Sequence, residues 1–428
     1  MNRRSPLLPF AILALGCFEV ALGQDAPVDR KNLHTNEESS HATDAVTNSE
    51  APDAEKSEEV GPTRWSLFDS LAPDLKKRGV IAGGWLAQSY TANALNPEDR
   101  SNGALGVNDR SNDYELNQLA LYAHKDVDKE SEAMSVGWRV DAWYGSDSRW
   151  VQSQGWDSKW GSDVYTAFAM PQAYVEVFIP GEHGATITAG RVWSPIGFEG
   201  VPAPDRFFLS ATNLFMFAEP STHTGVTLKY PVNEKWTVQA GIVQGWDVSD
   251  FGGGGAFLGT VSWKGNEDKT TLTLVTYYGS ETGDANDRLF STSTMLTHQL
   301  TKKLTYIMWS DFGNSQGSAV DDLGNPKNGQ WLGVVSCLLV GLDKDWSWGT
   351  RLEWFYDDDG TRITEWREET LLGRGDVYTI TTGLNYTPSP NWIIRPEVRY
   401  DWASGVTPYD GMSRGDQFTA GVDCILRF

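Results

Sequence analysis

The chain has 428 residues, with 57 Asp and Glu against 35 Lys and Arg, and a net charge of −22. So acidic a chain is repelled by phosphate backbones, which excludes nucleic acid as a partner. Mean hydropathy is −0.40, and beyond the N-terminus no stretch of about 18 apolar residues occurs, which excludes membrane-crossing helices but not strands that alternate between lipid and water.

In chain order, Arg3 and Arg4 precede an apolar run from Leu7 to Gly16, and Ala21-Leu22-Gly23 follows. A basic start, a short apolar run and small residues at the end predict a secretory signal peptide over residues 1–23. Cys17 stands where a lipoprotein cysteine would, but Ala14 fits that signal poorly. Residues 24–63 are rich in Asp, Glu, Ser, Thr, Asn and Ala and lack aromatics. They cannot bury enough apolar area to offset the entropy of ordering, so a disordered acidic leader is expected. Residues 64–428 read as one domain. Cys337 and Cys424, the cysteines beyond the leader, fall in predicted strands and suggest neither a disulfide framework nor a zinc site.

From residue 79 the apolar pattern has period two. Val136, Trp138, Val140, Ala142 and Tyr144 alternate with Gly137, Arg139, Asp141 and Trp143. Similar alternation marks 172–179, 350–357, 394–402 and 418–428. Read throughout, it gives about sixteen strands, with a range of about 14–18. The connections alternate short and long. Short ones include Asp126 to Glu132, Pro180 to Gly184, Pro231 to Lys235, Thr301-Lys302-Lys303 and Thr387 to Asn391. Longer ones lie near 92–112, 146–169, 194–221, 247–255, 279–288, 313–330, 358–375 and 403–416. This sorting predicts an all-β fold: a transmembrane antiparallel up-and-down β-barrel with short turns in the periplasm and long loops outside.

Nineteen tryptophans need a physical reason. Trp85, Trp143, Trp193, Trp236, Trp263, Trp309, Trp331, Trp346, Trp348, Trp392 and Trp402 lie in or at the ends of predicted strands, and are expected to form girdles at the two membrane interfaces. Pro396 falls within a strand, where a closed barrel has no edge to hold it, so a bulge or unpaired position is expected. Phe428 ends an alternating strand, as in the assembly signal of bacterial outer-membrane proteins, and implies the barrel-assembly machinery as a partner.

Several stretches resemble the OmpL-like beta-barrel porin family of bacterial outer-membrane porins. They are Gly190 to Glu199, Glu219 to Val226, Gln244-Gly245-Trp246-Asp247, Arg351 to Asp357 and Ile394 to Asp401. The resemblance covers about residues 75–428 and implies a passive or weakly selective pore in the bacterial outer membrane. It supplies no substrate.

A pore works through its lumen. Alternation selects Arg139, Asp141, Glu176, Arg191, Lys229, Arg351, Glu353, Arg395, Glu397, Arg399 and Asp401 as lining candidates, with His223, Asp423 and Arg427 beside them. An Arg or Lys facing lipid near the midplane costs about 2–4 kcal/mol, so these charges should face inward. They could brace the wall as cross-strand salt bridges, or impose a transverse field on polar solutes. Segment 194–221 carries Phe207, Phe208, Leu209, Leu214, Phe215 and Phe217, which packing inside the lumen or at a subunit contact would hide. It is the favoured constriction, with Glu199, Asp205, Arg206 and Glu219 as liners. Segment 146–169, with Trp150, Trp156 and Trp160, is the rival.

Asp357-Asp358-Asp359-Gly360 fits no EF-hand register and reads as an acidic turn. No catalytic motif occurs; His223 near Ser221 is the one faint hydrolase pair. The expectation is therefore a channel, not an enzyme, needing no metal or cofactor and passing ions and small polar solutes. Lipid and a possible homotrimer are its expected partners. The alternatives are a plugged structural or adhesive barrel and, further off, a barrel hydrolase. The acidity of the chain suggests cation preference, although much of it lies in the leader and loops.

Overall fold

A computed structural model describes residues 65–161, 165–250, 254–284, 287–320, 323–365 and 370–428. The expected signal peptide and acidic leader lie outside the described residues. Two short helices, α1 (Leu67–Leu71) and α2 (Pro73–Lys77), precede the barrel. The first eight strands are β1 (Ile81–Asn93), β2 (Asp113–Lys125), β3 (Ser135–Gly145), β4 (Ala167–Ala169 and Ala173–Ile179), β5 (Ala185–Trp193), β6 (Thr222–Pro231), β7 (Trp236–Val243) and β8 (Ala256–Gly265). The rest are β9 (Thr270–Gly279), β10 (Leu289–Thr301), β11 (Leu304–Val320), β12 (Pro326–Gly341), β13 (Trp346–Asp357), β14 (Gly375–Ser389), β15 (Trp392–Ser404) and β16 (Asp416–Arg427). All pair antiparallel with their chain neighbours, and β16 pairs with β1 to close a sixteen-stranded barrel. β4 is one strand in two pieces because both pair with β3, and Pro171 between them has no N–H for a ladder.

The seam of the barrel is the C-terminus itself. Phe428 N donates to Gly84 O at 2.9 Å, and Gly84 N returns a bond to Phe428 O at 2.8 Å. The Phe428 ring covers Gly84, where a Cβ would come within 2.7 Å of it. Both ends of the barrel sequence lie at the end with the short turns.

The outer face carries an exposed apolar belt: Val136 is 53% exposed, Ile242 62% and Leu352 49%. In water such a belt would forfeit about 25 cal/mol per Å² of apolar surface, and lipid removes that cost. Trp346 stacks on Tyr386 with ring centroids 4.4 Å apart, and Tyr378 on Trp402 at 5.4 Å, all on this outer face.

The aromatic girdle is smaller than expected. Trp236, Trp346, Trp348, Trp392 and Trp402 are exposed on the outside, but Trp85, Trp143, Trp193, Trp309 and Trp331 are buried within the barrel. Trp143 shares the face of Arg139 and Asp141, so the phase of its strand turns it inward. Its ring lies edge-on to Trp85 at 5.4 Å and beside Trp193 at 5.2 Å.

Segment 313–330 is also not the long loop expected. β11 and β12 run on as a ribbon to Val320 and from Pro326, paired as far as Val320 opposite Pro326. Its residues hide the strands because the buried face of the ribbon is built of small residues, Gly313, Ser315, Ala319 and Gly329, and so shows no apolar alternation. At Pro396 the β14–β15 ladder passes from Gly383 opposite Glu397 to Tyr386 opposite Ile394, leaving the proline unpaired on that side.

Candidate functional site

The loop between β5 and β6, residues 194–221, is led into the barrel by a change of phase. On β5, Thr188 faces inward and donates to Glu176 Oε1 at 3.1 Å. Strict alternation would then turn Arg191 and Trp193 to lipid, yet both are buried. Gly190, with φ of 135°, breaks the alternation and restores them to the interior. A Cβ at Gly190 would sit 2.3 Å from Ala173 O, so the wall leaves no room for another residue. Arg191 donates to Asp157 Oδ2 at 2.7 Å, to Met170 O at 2.9 Å and to Val151 O. It thereby ties segment 146–161 to the wall.

The loop then crosses the lumen with little secondary structure, so its backbone needs partners. The wall provides them. Arg395 Nη1 donates to Ala203 O at 2.9 Å and also to Arg206 O, while its Nε holds Asp423. Arg351 Nη1 donates to Ser210 O at 3.0 Å, and its Nε to Glu353 Oε1 at 2.7 Å. Arg399 Nη1 donates to Ala211 O at 2.7 Å, and its Nε to Asp401 Oδ1 at 2.8 Å. The carboxylates take the loop amides. Glu397 accepts from Leu209 N at 2.8 Å and Ser210 N at 3.1 Å, Glu353 from Asn213 N at 2.8 Å, and Glu199 from Thr212 N at 2.7 Å. Charge-assisted bonds of this kind are each worth about 1.5–3 kcal/mol.

Apolar packing completes the anchor. Helix α3 (Asn213–Ala218) is N-capped by Thr212, whose Oγ1 accepts from Phe215 N at 3.1 Å. Leu214, Phe217 and Phe208 are buried with Phe355, Trp309 and Val335 of the wall, and Leu209 and Phe215 are buried as well. Phe207 is half-buried beside Phe208.

The lining candidates therefore divide. Arg351, Glu353, Arg395, Glu397, Arg399 and Asp401 face inward but are at most 6% exposed, because the loop lies on them. Asp141 and Arg191 are equally buried. Arg139, with its side chain 25% exposed, Glu176 and Lys229 reach water along the opposite wall. The register puts Lys229 opposite Gln239 and Thr186, and Glu176 opposite Thr188. Of the loop candidates, Asp205 is half-buried, Glu199 turns to Arg351 and the Thr212 amide, and Arg206 and Glu219 are buried. Arg206 lies 3.5 Å from Asp147; burial pulls the guanidinium down and pushes the Asp147 carboxyl up, each opposed by the other's charge. Burial, then Asp311 and Glu199, push Glu219 well above the usual carboxyl range. Asp157, Asp147 and Gln118 also hold the loops, through Arg191, Arg206 and the backbone of Val201 and Ala203. Nothing in their local sequence marked them.

The sequence model for Putative beta-barrel porin-2, OmpL-like, matches residues 79–428. The chain belongs to that porin family. Its location is the bacterial outer membrane. Among solved structures, OprB of Pseudomonas putida matches at 12% identity, with a TM-score of 0.56 over 86% of this chain and 99% of that one. The outer membrane channel DcaP of Acinetobacter baumannii matches at 11% identity and TM-score 0.55, over 82% and 97%. An anion-selective porin from Comamonas acidovorans matches at 9% identity and TM-score 0.53, over 82% and 99%. A search of curated proteins returns no match.

The porin-like stretches meet in space. Asp247, in left-handed backbone at φ 52°, accepts from Thr222 N at 2.7 Å and Ser221 N at 3.0 Å. Gly-Trp-Asp of one stretch thus fastens the Ser-Thr-His-Thr of another. His223 Nδ1 lies 3.0 Å from Gly245 O and its Nε2 3.2 Å from Ser194 Oγ, fully buried and stacked on Tyr277. Ser221 Oγ instead donates to Trp150 O at 2.8 Å. The histidine ties both stems of the loop, a structural use of the pair. Asp357 accepts from the amides of Gly360, Thr361, Arg362 and Ile363, so the acidic run is a capped turn.

Proposed function

We propose that this porin is a passive diffusion channel for ions and small polar solutes, with loop 194–221 as a fixed constriction. The observation that supports this reading is the division of the interior. One wall, β11 to β15, is covered by the loop. The other, β3 to β7, presents Arg139, Glu176, Lys229, Gln239 and threonines to water. Among these liners and Asp141, Arg139 and Lys229 balance Asp141 and Glu176, so the acidity of the whole chain does not decide ion preference here. Homotrimeric assembly, on grounds of barrel shape, and recognition of the Phe428 strand by the assembly machinery belong to the same reading.

The test is single-channel conductance of the refolded protein in a planar bilayer under a salt gradient. Stable steps are expected. A heat-modifiable barrel that stays silent would overturn the channel and favour a plugged scaffold. The depth to which loops enter the mouth supports that second reading: Asn102, Ser148 and Val151 are fully buried.

Lys229→Glu reverses one charge on the open wall. The cation-to-anion permeability ratio is expected to rise by roughly twofold, as fields in a low-dielectric channel bias counter-ions. A reversal potential that stays put would remove Lys229 from the path.

A further inference from the structure

Glu219 follows helix α3 at the foot of the loop and meets the wall at Asp311 of β11. Glu219 Oε2 and both carboxyl oxygens of Asp311 are buried with no hydrogen-bond donor among the described residues. Asp311 is fully buried and Glu219 is 8% exposed. Trp309 Nε1 donates to Glu219 Oε1 at 3.2 Å, and Ser293 of β10 lies directly opposite Asp311 in the ladder. Ser293 Oγ accepts from Gly197 N at 3.2 Å. Gly197 has φ of 83° and lies against the Glu219 carboxyl, where a Cβ would come within 1.8 Å of Oε2. Both stems of the loop therefore converge on one carboxyl pair.

Among the described residues, no ion pair involves Glu219 or Asp311. Beyond Asp311, the charge that acts on Glu219 is Glu199, engaged with Arg351 and the Thr212 amide. β10 offers Ser293 and β11 offers Trp309, neither of them a cation. Two carboxylates hold no hydrogen to share, and two adjacent negative charges in a buried site are strongly unfavourable. A proton held between them removes one of the two charges and supplies the donor that the orphaned oxygens lack, and it would belong to the pair.

We propose that Glu219 and Asp311 form a proton-operated clasp. The shared proton holds the foot of loop 194–221 on β10 and β11. Its loss separates the carboxylates and lets the foot of α3 swing towards the open wall, narrowing the path. The raised affinity of Glu219 for its proton sets the sign: the clasp is closed below that raised value and is lost as pH rises through it. The narrowing rests on the channel reading; the clasp does not.

Two measurements on the full-length protein separate the ideas. One is conductance at about pH 6 and about pH 9.5; the other is peptide-resolved hydrogen exchange of residues 194–221 at both, with intrinsic rates divided out. In the wild type, conductance is expected to fall about twofold and loop exchange to accelerate at alkaline pH, as a released stem samples a second state. In Glu219→Gln the amide donates to Asp311 without a titrating proton, so both responses should vanish while the barrel stays heat-modifiable. Equal pH responses in wild type and Glu219→Gln, or a wild-type loop whose exchange does not change, would overturn the clasp. A silent bilayer with the exchange response intact would overturn the channel and leave the clasp standing. Where Glu219→Gln does not fold, Asp311→Asn serves in its place.

Discussion

Arg351→Ala is expected to destabilise the barrel by about 3–5 kcal/mol, the usual cost of breaking a buried pair from one side. Arg351 is 1% exposed and serves five groups: Glu353, Glu199, Ser210 O, Ser210 Oγ and Ala211 O. Removing the guanidinium leaves Glu199 without its cation, Glu353 with only Arg399 at 3.8 Å, and Ser210 O without this donor. The alternative, an apolar wall with no carboxylates, would cost less, so the loss measures the orphaned partners more than the worth of the pair. The conducting phenotype should follow. With the middle of its anchor gone, loop 194–221 becomes mobile, and single-channel traces should gain noise and mean conductance. Arg351→Lys keeps the charge but lacks the planar fork, so it should fall between. The readouts are the denaturant midpoint of the heat-modifiable band and the current histogram. An unchanged midpoint and quiet current would mean that Arg395 and Arg399 hold the loop without it.

Gly190→Val should prevent or severely slow assembly. The native φ of 135° is a conformation that a β-branched residue rarely adopts, at a cost of about 1–3 kcal/mol. The new Cβ would also meet Ala173 O and the Tyr174 backbone, which cannot swing aside as a flexible side chain could. If β5 instead relaxed to regular alternation, Arg191 would turn to lipid at about 2–4 kcal/mol and release Asp157, Met170 O and Val151 O. Either route is unfavourable. The fraction of folded, heat-modifiable protein after refolding into detergent measures it. Wild-type yields from Gly190→Val would show that the phase change at this glycine is dispensable.

Much of the fold was legible because strand alternation is a local property. Val136 to Tyr144 declares its two faces within nine residues, and the turn at Pro180 to Gly184 declares itself within five. Trp143 shares the inward phase of Arg139, so its burial is legible from alternation even though its place near a strand end suggests an interface. Gly190 was less so. A glycine beside an inward arginine hints at a break, but only the pairing with Ala173, Tyr174 and Gly225 shows which way the chain turns.

The sequence by itself determined the membrane barrel, the family and the inward charge of β13 and β15, since period-two alternation and the cost of charge in lipid act on each strand separately. Which of those charges meet water was decided only by the tertiary structure. Glu397 holds the amide of Leu209, 188 residues away. Arg351 reaches Glu199 across 152 residues, and Trp309 reaches Glu219 across 90. No local pattern encodes such contacts. They form because an apolar, hydrogen-bond-poor loop must bury its phenylalanines and satisfy its backbone, and the closed wall is where both can be done at once.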